Sequence, residues 1–261
     1  MEVKSPAFDA LVLAGGRSSR LGGMPKQSLV FQGQTLLERA VAAAAGPGLT
    51  VVVGDAEFLP QRPSAAQPLP ALPANLLTCR EEPRFAGPAA AIAAGLEALA
   101  AHHARTGDGG GLPYTLVLAC DMPLASQAVA VLQDALGASI ETASGGVMAC
   151  AEDGRAQPLA GFYRTSELTK ACKTLAARDA LVNGSVRALL ASLDVQLVTV
   201  PAGSTADVDT WDDVAALGIA AGNQRDGQDR HSGEQTWEAI REEPGRNAGR
   251  VVQGPSPGVQ A

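Results

Sequence analysis

Between Leu11 and Lys26 the chain reads LVLAGGRSSRLGGMPK. An apolar run ends at Gly15–Gly16, two arginines follow, and a second glycine pair leads to Pro25 and Lys26. Glycines placed directly after a strand let backbone N–H groups turn towards an anion with no Cβ in the way. Arg20 and Lys26 add charge that neutralises phosphate oxygens. Pro25 holds the chain extended ahead of Lys26 and restricts where that lysine points. The segment therefore reads as a cradle for a triphosphate. It lacks the G-x-x-x-x-G-K-[ST] spacing of a P-loop, and its paired glycines depart from the dinucleotide pattern G-x-G-x-x-G. An ordinary strand–helix turn accounts for two glycines, but not for both pairs together with Arg20 and Pro25–Lys26.

Further polar groups stand where chemistry needs them. In LACDMP, Asp121 lies just past an apolar strand. A hard carboxylate there suits Mg²⁺, which takes one or two carboxylates beside phosphate oxygens and water. The competing role is a cap on the next helix. In REEPRFAGPAAAI, Glu81 and Glu82 precede Gly87–Pro88, which opens a helix; a solvated acidic loop is the alternative. In DVDTWDDV, Asp209 stands in an acidic run that suits the capping of a helix. In AQPLAGFYR, Gln157 and Arg164 sit at the two ends of an apolar strand, and either could reach a second substrate. His102 and His103 are adjacent late in a helical stretch and read as a solvated helix end rather than a metal site.

These residues need a scaffold, and the pattern supplies one. FDALVLA, LTVVVG, NLLTC, YTLVLAC and VQLVTV are short apolar or β-branched runs, as buried parallel strands should be. They alternate with helical stretches at TLLERAVAAAA, GPAAAIAAGLEALAAHHA, SQAVAVLQDAL, 166–177, 185–190 and TWDDVAAL. GGVMACAEDGRAQPLAGFYR reads as two antiparallel strands around an Asp153–Gly154 turn. The fold class expected is α/β: one Rossmann-like three-layer domain over residues 1–218, mostly parallel, with a small antiparallel insertion. In such sheets ligands bind beyond the carboxyl ends of the strands, where the glycine loop, Glu82 and Asp121 all fall. Residues 219–261 are rich in Gly, Gln, Arg and Pro and read as a disordered tail.

The 261 residues carry a net charge of −7 and are 46% hydrophobic but only 3% aromatic. The acidic balance argues against nonspecific nucleic-acid binding, which needs clustered Lys and Arg. No apolar run is long enough to span a membrane, and the first apolar run lacks a basic segment ahead of it, so it reads as a strand and not a signal peptide. The four scattered cysteines fit reduced, mostly buried thiols. A cytoplasmic protein with no nucleic-acid or membrane partner is expected.

LAGGRSSRLGGMPK, followed in order by LACDMP and by Gly87–Pro88 behind an acidic residue, resembles the MobA-type molybdenum cofactor guanylyltransferases, nucleotidyltransferases built on a nucleotide-diphospho-sugar transferase fold. The likeness runs from about Ala10 to Leu217, with Asp207, Asp209 and Trp211 departing from the family's closing segment. On the matching positions it implies nucleotide contacts from Leu13, Ala14, Gly15, Gly16, Lys26, Gly54, Glu82 and Asp121. It implies catalytic roles for Arg20, Lys26 and Asp121, Mg²⁺ on Asp121 and Asp209, and acceptor contacts from Gly87, Pro88 and Gln157. The reaction implied joins GMP from GTP to the molybdopterin cofactor and releases pyrophosphate. The resemblance further implies a monomer that makes transient contact with molybdoenzymes or other cofactor-biosynthesis proteins. A molybdenum cofactor cytidylyltransferase, another small-molecule phosphate nucleotidyltransferase of this fold, and a nucleotide-binding regulator without catalysis are the alternatives. The retained Lys26 and Asp121 weigh against the last.

Overall fold

A computed structural model of the chain describes residues 6–16, 21–55, 75–107, 111–138 and 145–219. Arg20, the proline-rich segment 59–74 and the expected tail beyond residue 219 lie outside the described residues.

The chain begins with β1 (Phe8–Leu13), a 3₁₀ turn at Lys26–Ser28, the short strands β2 (Val30–Phe31) and β3 (Gln34–Thr35), and helix α1 (Leu36–Ala43). There follow β4 (Thr50–Val53), β5 (Leu76–Cys79), α2 (Pro88–Thr106), β6 (Tyr114–Ala119) and α3 (Ala125–Ala138). The last elements are β7 (Gly146–Cys150), β8 (Ala156–Arg164), α4 (Thr165–Ala176), α5 (Val186–Leu190), β9 (Val195–Thr199) and α6 (Trp211–Ala216). Seven strands form one sheet in the order β5-β4-β1-β6-β8-β7-β9. Only β8 runs against its neighbours β6 and β7; the other pairings are parallel. The antiparallel insertion expected from the Asp153–Gly154 turn is thus one reversed strand inside a parallel sheet.

The periodicity of β1 shows why the sheet is covered on both faces. Phe8, Ala10, Val12 and Ala14 enter a cluster with residues of α1 and α3, including Leu37, Val41, Leu132 and Leu136. Leu11 and Leu13 enter the opposite cluster, with Ile92 and Leu96 of α2, Leu168 of α4 and Leu189 of α5. A strand buried on both sides has no polar face to show, so it reads as a continuous apolar run. A third cluster joins Leu21, Leu29, Phe31 and Leu36 to Val208, Val214 and Ile219. It draws the segment after the glycine loop against the closing helix.

The sequence pattern shows no strand at residues 30–35, yet β2 and β3 pair there, with Val30 opposite Thr35. Gln32 and Gly33 both take positive φ, 51° and 82°, which is the backbone of a type I′ hairpin turn. Two-residue strands are too short to show an alternation. Thr35 also caps α1, accepting from the Glu38 N–H while Glu38 accepts from the Thr35 N–H.

His103 is not the solvated helix end expected. Its Nε2 lies 3.0 Å from Oδ2 of Asp9, and the two side chains are 11% and 1% exposed. Asp9 also accepts from the backbone N–H groups of Leu49 at 2.8 Å and Leu112 at 3.2 Å. A carboxylate inside β1 thereby ties together the start of β1, the turn before β4, the last turns of α2 and the approach to β6. Asp9→Ala strands two backbone donors and an imidazole in a dry setting. It should cost about 3 kcal/mol, or roughly 10 °C in melting temperature for a domain of this size. Calorimetry checks this; an unchanged Tm would mean that the contacts are incidental.

Candidate active site

The ladder of the central strands continues for one residue into the loops beyond their carboxyl ends. Ala14 N–H donates to the Val53 carbonyl at 2.8 Å, Cys120 N–H to Leu13 at 3.1 Å and Gly54 N–H to Cys79 at 2.9 Å. The segments after β1, β4, β5 and β6 are therefore held side by side. A cavity of about 470 Å³ opens there, lined by Leu13, Gly15, Gly16, Lys26, Gln27, Glu81, Phe85, Gly87, Pro88, Ala91, Ala119, Cys120, Asp121, Leu159 and Asp209.

Lys26 is the hub of the polar side. Its Nζ donates to Asp121 Oδ2 at 3.1 Å and makes a closer contact with Asp209 Oδ1. Lys26 rides on the 3₁₀ turn that follows extended Pro25, Asp121 follows β6, and Asp209 immediately precedes the cap of α6. Two features bring Asp209 in from the far end of the chain. The Val208 N–H donates to the Asp121 carbonyl at 3.0 Å. The Asp209 N–H donates to Asp213, which also accepts from the N–H and hydroxyl of Thr210. Helix capping belongs to Thr210 and Asp213, which leaves the Asp209 carboxylate facing Lys26.

The electrostatics follow from this packing. Burial works to lower the Lys26 pKa, but the facing carboxylates, Asp121 first, outweigh it and hold the pKa above that of an ordinary lysine. Burial pushes the Asp121 carboxyl above its usual value. Lys26 opposes that shift, while the charge of Asp207 adds to it. Among the described residues, the charge of Lys26 does not fully offset the burial of this carboxylate.

Of the acidic pair, Glu81 lines the cavity and is 6% exposed, whereas Glu82 is exposed and is not among the lining residues. Oε1 of Glu81 accepts from the Phe85 N–H at 3.0 Å; Oε2 is buried without a hydrogen-bond partner. Of the two, Glu81 and not Glu82 reaches the cavity lining.

Gly87 and Pro88 line the cavity, because Gly87 is the N-cap of α2 and Pro88 its first residue. Gly87 has φ 91°, a conformation that strains any side chain. The positive end of a 19-residue helix thus faces the site. Gly54 and Ala14 do not line the cavity. A Cβ on Gly54 would come within 2.8 Å of the Ala14 carbonyl oxygen, so Gly54 allows the two loops to approach. Gln157 sits at the same end of the sheet, on the reversed strand and opposite Ala149, but Leu159 takes its place in the lining. Arg164 is at the other end of β8, opposite Tyr114, with a guanidinium nitrogen 3.2 Å from the Tyr114 hydroxyl; it is remote from the site. Gln27, Phe85, Cys120 and Leu159 also line the cavity, and no motif in the sequence marks them. Only adjacency to Lys26, the acidic pair and Asp121 could have pointed to the first three.

The family model described as the MobA-like NTP transferase domain matches residues 10–197. Proteins named as probable molybdenum cofactor guanylyltransferases in Mycobacterium ulcerans (strain Agy99) and Mycobacterium marinum (strain ATCC BAA-535 / M) are each 34% identical over 222 residues, covering 82% of this chain and 95% of theirs. The molybdopterin-guanine dinucleotide biosynthesis protein A of Archaeoglobus fulgidus shares the fold with a TM-score of 0.55 at 20% identity, over 80% of this chain and 96% of its own. The 2-C-methyl-D-erythritol 4-phosphate cytidylyltransferase of Francisella tularensis does so with a TM-score of 0.58 at 15% identity, over 81% and 98%.

Proposed function

The chain belongs to the MobA-like NTP transferase family, and from that premise we propose that it transfers GMP from GTP to the molybdopterin cofactor, forming the guanine dinucleotide and releasing pyrophosphate. The observation that carries this reading is Lys26 held between Asp121 and Asp209 beside Gly15 and Gly16, at the carboxyl edge of the sheet. An oxygen of the acceptor's terminal phosphate attacks the α-phosphorus in line, and the bond from the α-phosphorus to the bridging oxygen of pyrophosphate breaks. Such transfers are catalysed by positioning and charge neutralisation rather than by a nucleophilic side chain. Lys26 and the backbone N–H groups of Gly15 and Gly16 meet the negative charge that grows on the leaving pyrophosphate. The positive end of α2 at Gly87–Pro88 adds to that field.

Two converging carboxylates fit Mg²⁺, which fills its remaining positions with phosphate oxygens and water. Asp121 and Asp209 would hold it, and it would supply Lewis-acid neutralisation of the phosphates.

Glu81 supports guanine as the base. Guanine offers two adjacent donors on one edge, N1–H and the 2-amino group, whereas cytosine offers a single amino group there. A buried carboxylate with an unpartnered oxygen is costly until a donor reaches it.

Pyrophosphate release from GTP in the presence of the molybdopterin acceptor tests the reading. Turnover should need acceptor, GTP and Mg²⁺ together. Binding of GTP with no release under any acceptor supply would make the protein a nucleotide-binding regulator instead. Gly15→Ala tests the base. Gly15 does not take a positive φ, and among the described residues a Cβ there would meet Glu81 Oε1 alone, at 3.8 Å. The protein therefore accepts the methyl group without strain, and any loss comes from the ligand. The larger purine should suffer more than a pyrimidine: the ratio of kcat/KM for GTP over CTP is expected to fall by about ten- to two-hundredfold. An unchanged ratio would remove Gly15 from base selection.

A further inference from the structure

β9 (Val195–Thr199) ends one side of the sheet, and among the described residues it pairs only with β7. The Gly145 N–H donates to the Asp194 carbonyl at 2.9 Å, and the Val200 N–H to the Cys150 carbonyl at 3.1 Å. The backbone groups of the even-numbered residues therefore face β7. Successive residues of a strand alternate in direction, so the N–H and C=O groups of Val195, Leu197 and Thr199 point away from the sheet. We propose that this rim pairs with the same rim of a second copy of the chain, antiparallel about a two-fold axis beside Leu197, so that two sheets become one. This departs from the monomer that the family resemblance implies, and it stands independently of the nucleotidyl-transfer reading.

The strand is complementary to itself in this register. With Leu197 opposite its own copy, Val195 stands opposite the partner's Thr199. Each of these residues turns both backbone groups outward, so every pair exchanges N–H···O=C bonds in both directions, and each outward group of either copy finds a partner. Gln196 falls opposite the partner's Val198 and Asp194 opposite the partner's Val200, so no like charges meet. Nothing in β9 deters such pairing. Natural sheets blunt a bare edge with charged residues, proline or a bulge, whereas VQLVT has neither charge nor proline and follows β7 in unbroken register. Access is open from both faces. Val195 packs towards the cluster of α2 and α4, and Val198 towards the cluster of α1 and α3. Leu197 shares the first face and Gln196 the second, and both are exposed, so neither helical layer overhangs the rim. Leu197 is 50% exposed, and the two-fold axis sets it against the same apolar side chain. A row of backbone bonds around one leucine pair makes a small contact, which belongs to the weak, concentration-dependent class of interfaces.

Analytical ultracentrifugation of the full chain tests this. The mass should rise from 26.5 kDa towards twice that value between about 1 and about 200 µM, the span of a micromolar dissociation constant. Leu197→Pro removes an N–H that points outward and spares the ladder to β7, the position at which a sheet edge accepts proline. It should keep the mass of one chain across the same range. Leu197→Lys sets two ammonium groups against each other at the axis and should do the same; it decides the matter if a melting curve shows the proline variant unfolded. Leu197→Cys reads the register. The axis places the two Cα atoms about 5.5 Å apart, within disulfide reach, so mild oxidation with copper phenanthroline should link the chains in pairs. Gln196→Cys, which does not face its own copy, should stay unlinked. A wild type that keeps the mass of one chain up to about 200 µM, a dimer that persists in the folded Leu197 variants, or linking through Gln196→Cys that equals linking through Leu197→Cys would each overturn the proposal.

Discussion

Asp121→Ala is expected to lower kcat/KM for pyrophosphate release by about a thousandfold, which corresponds to roughly 4 kcal/mol of transition-state stabilisation, while leaving the protein folded. The size of the effect follows from position. Asp121 is the carboxylate at the end of the central strand β6, it contacts Lys26, and it lines the cavity beside the glycine loop. Its loss removes one of the two proposed cation ligands and a partner that helps to orient Lys26. The fold should survive because the structural contact of this residue is made by its backbone: the Asp121 carbonyl still accepts from Val208 in the variant. Removing a carboxylate whose burial is incompletely offset also relieves a cost. Steady-state kinetics at saturating Mg²⁺, paired with a melting curve, checks both halves. Near-normal turnover would sink the assignment of Asp121 to the cation.

Lys26→Ala should lower turnover with GTP and with CTP by the same factor, about a hundredfold. Loss of one preorganised donor to a developing oxyanion typically costs 10² to 10³ in rate. Lys26 faces Asp121 and Asp209, while the proposed base-reading group is Glu81, near Gly15. A charge aimed at phosphates cannot tell one base from another, so the ratio of the two specificity constants should not move. A selective loss of GTP use would place Lys26 beside the base.

The sheet was readable from sequence because its strands are buried on both faces, and largely apolar runs such as Phe8–Leu13 and Tyr114–Ala119, too short for a core helix, fit little but a covered strand. The glycine loop, Lys26 and Asp121 stood out because an ordinary strand–helix turn gives such residue types little to do, and the fold gathers them at one cavity. What escaped was decided by packing. Glu81 and Glu82 are chemically identical neighbours, and only the path of the chain towards Phe85 buries one and exposes the other. Asp9 sits inside an apolar run whose pattern hides it, and its partner His103 lies 94 residues away. Arg164 and Gln157 end the same strand with equal claims until the reversed direction of β8 sends them to opposite edges. The fate of Asp209 depended on whether Thr210 and Asp213 could cap α6 without it, which a run of acidic residues does not reveal.

The pairing of Val208 with Asp121, and the third apolar cluster behind it, have a consequence for how the protein comes into being. All the sheet strands are complete once synthesis has passed Thr199, and domains begin to fold while the chain is still emerging. A nascent chain can therefore close its sheet with Lys26 and Asp121 already in place, but without Asp209, Val214 or Ile219. The proposed site gains its second carboxylate only with the last described stretch to leave the ribosome. A product cut short at residue 200 would keep the described sheet strands and lack Asp209, so cation binding at the proposed site is expected to report whether synthesis passed that residue.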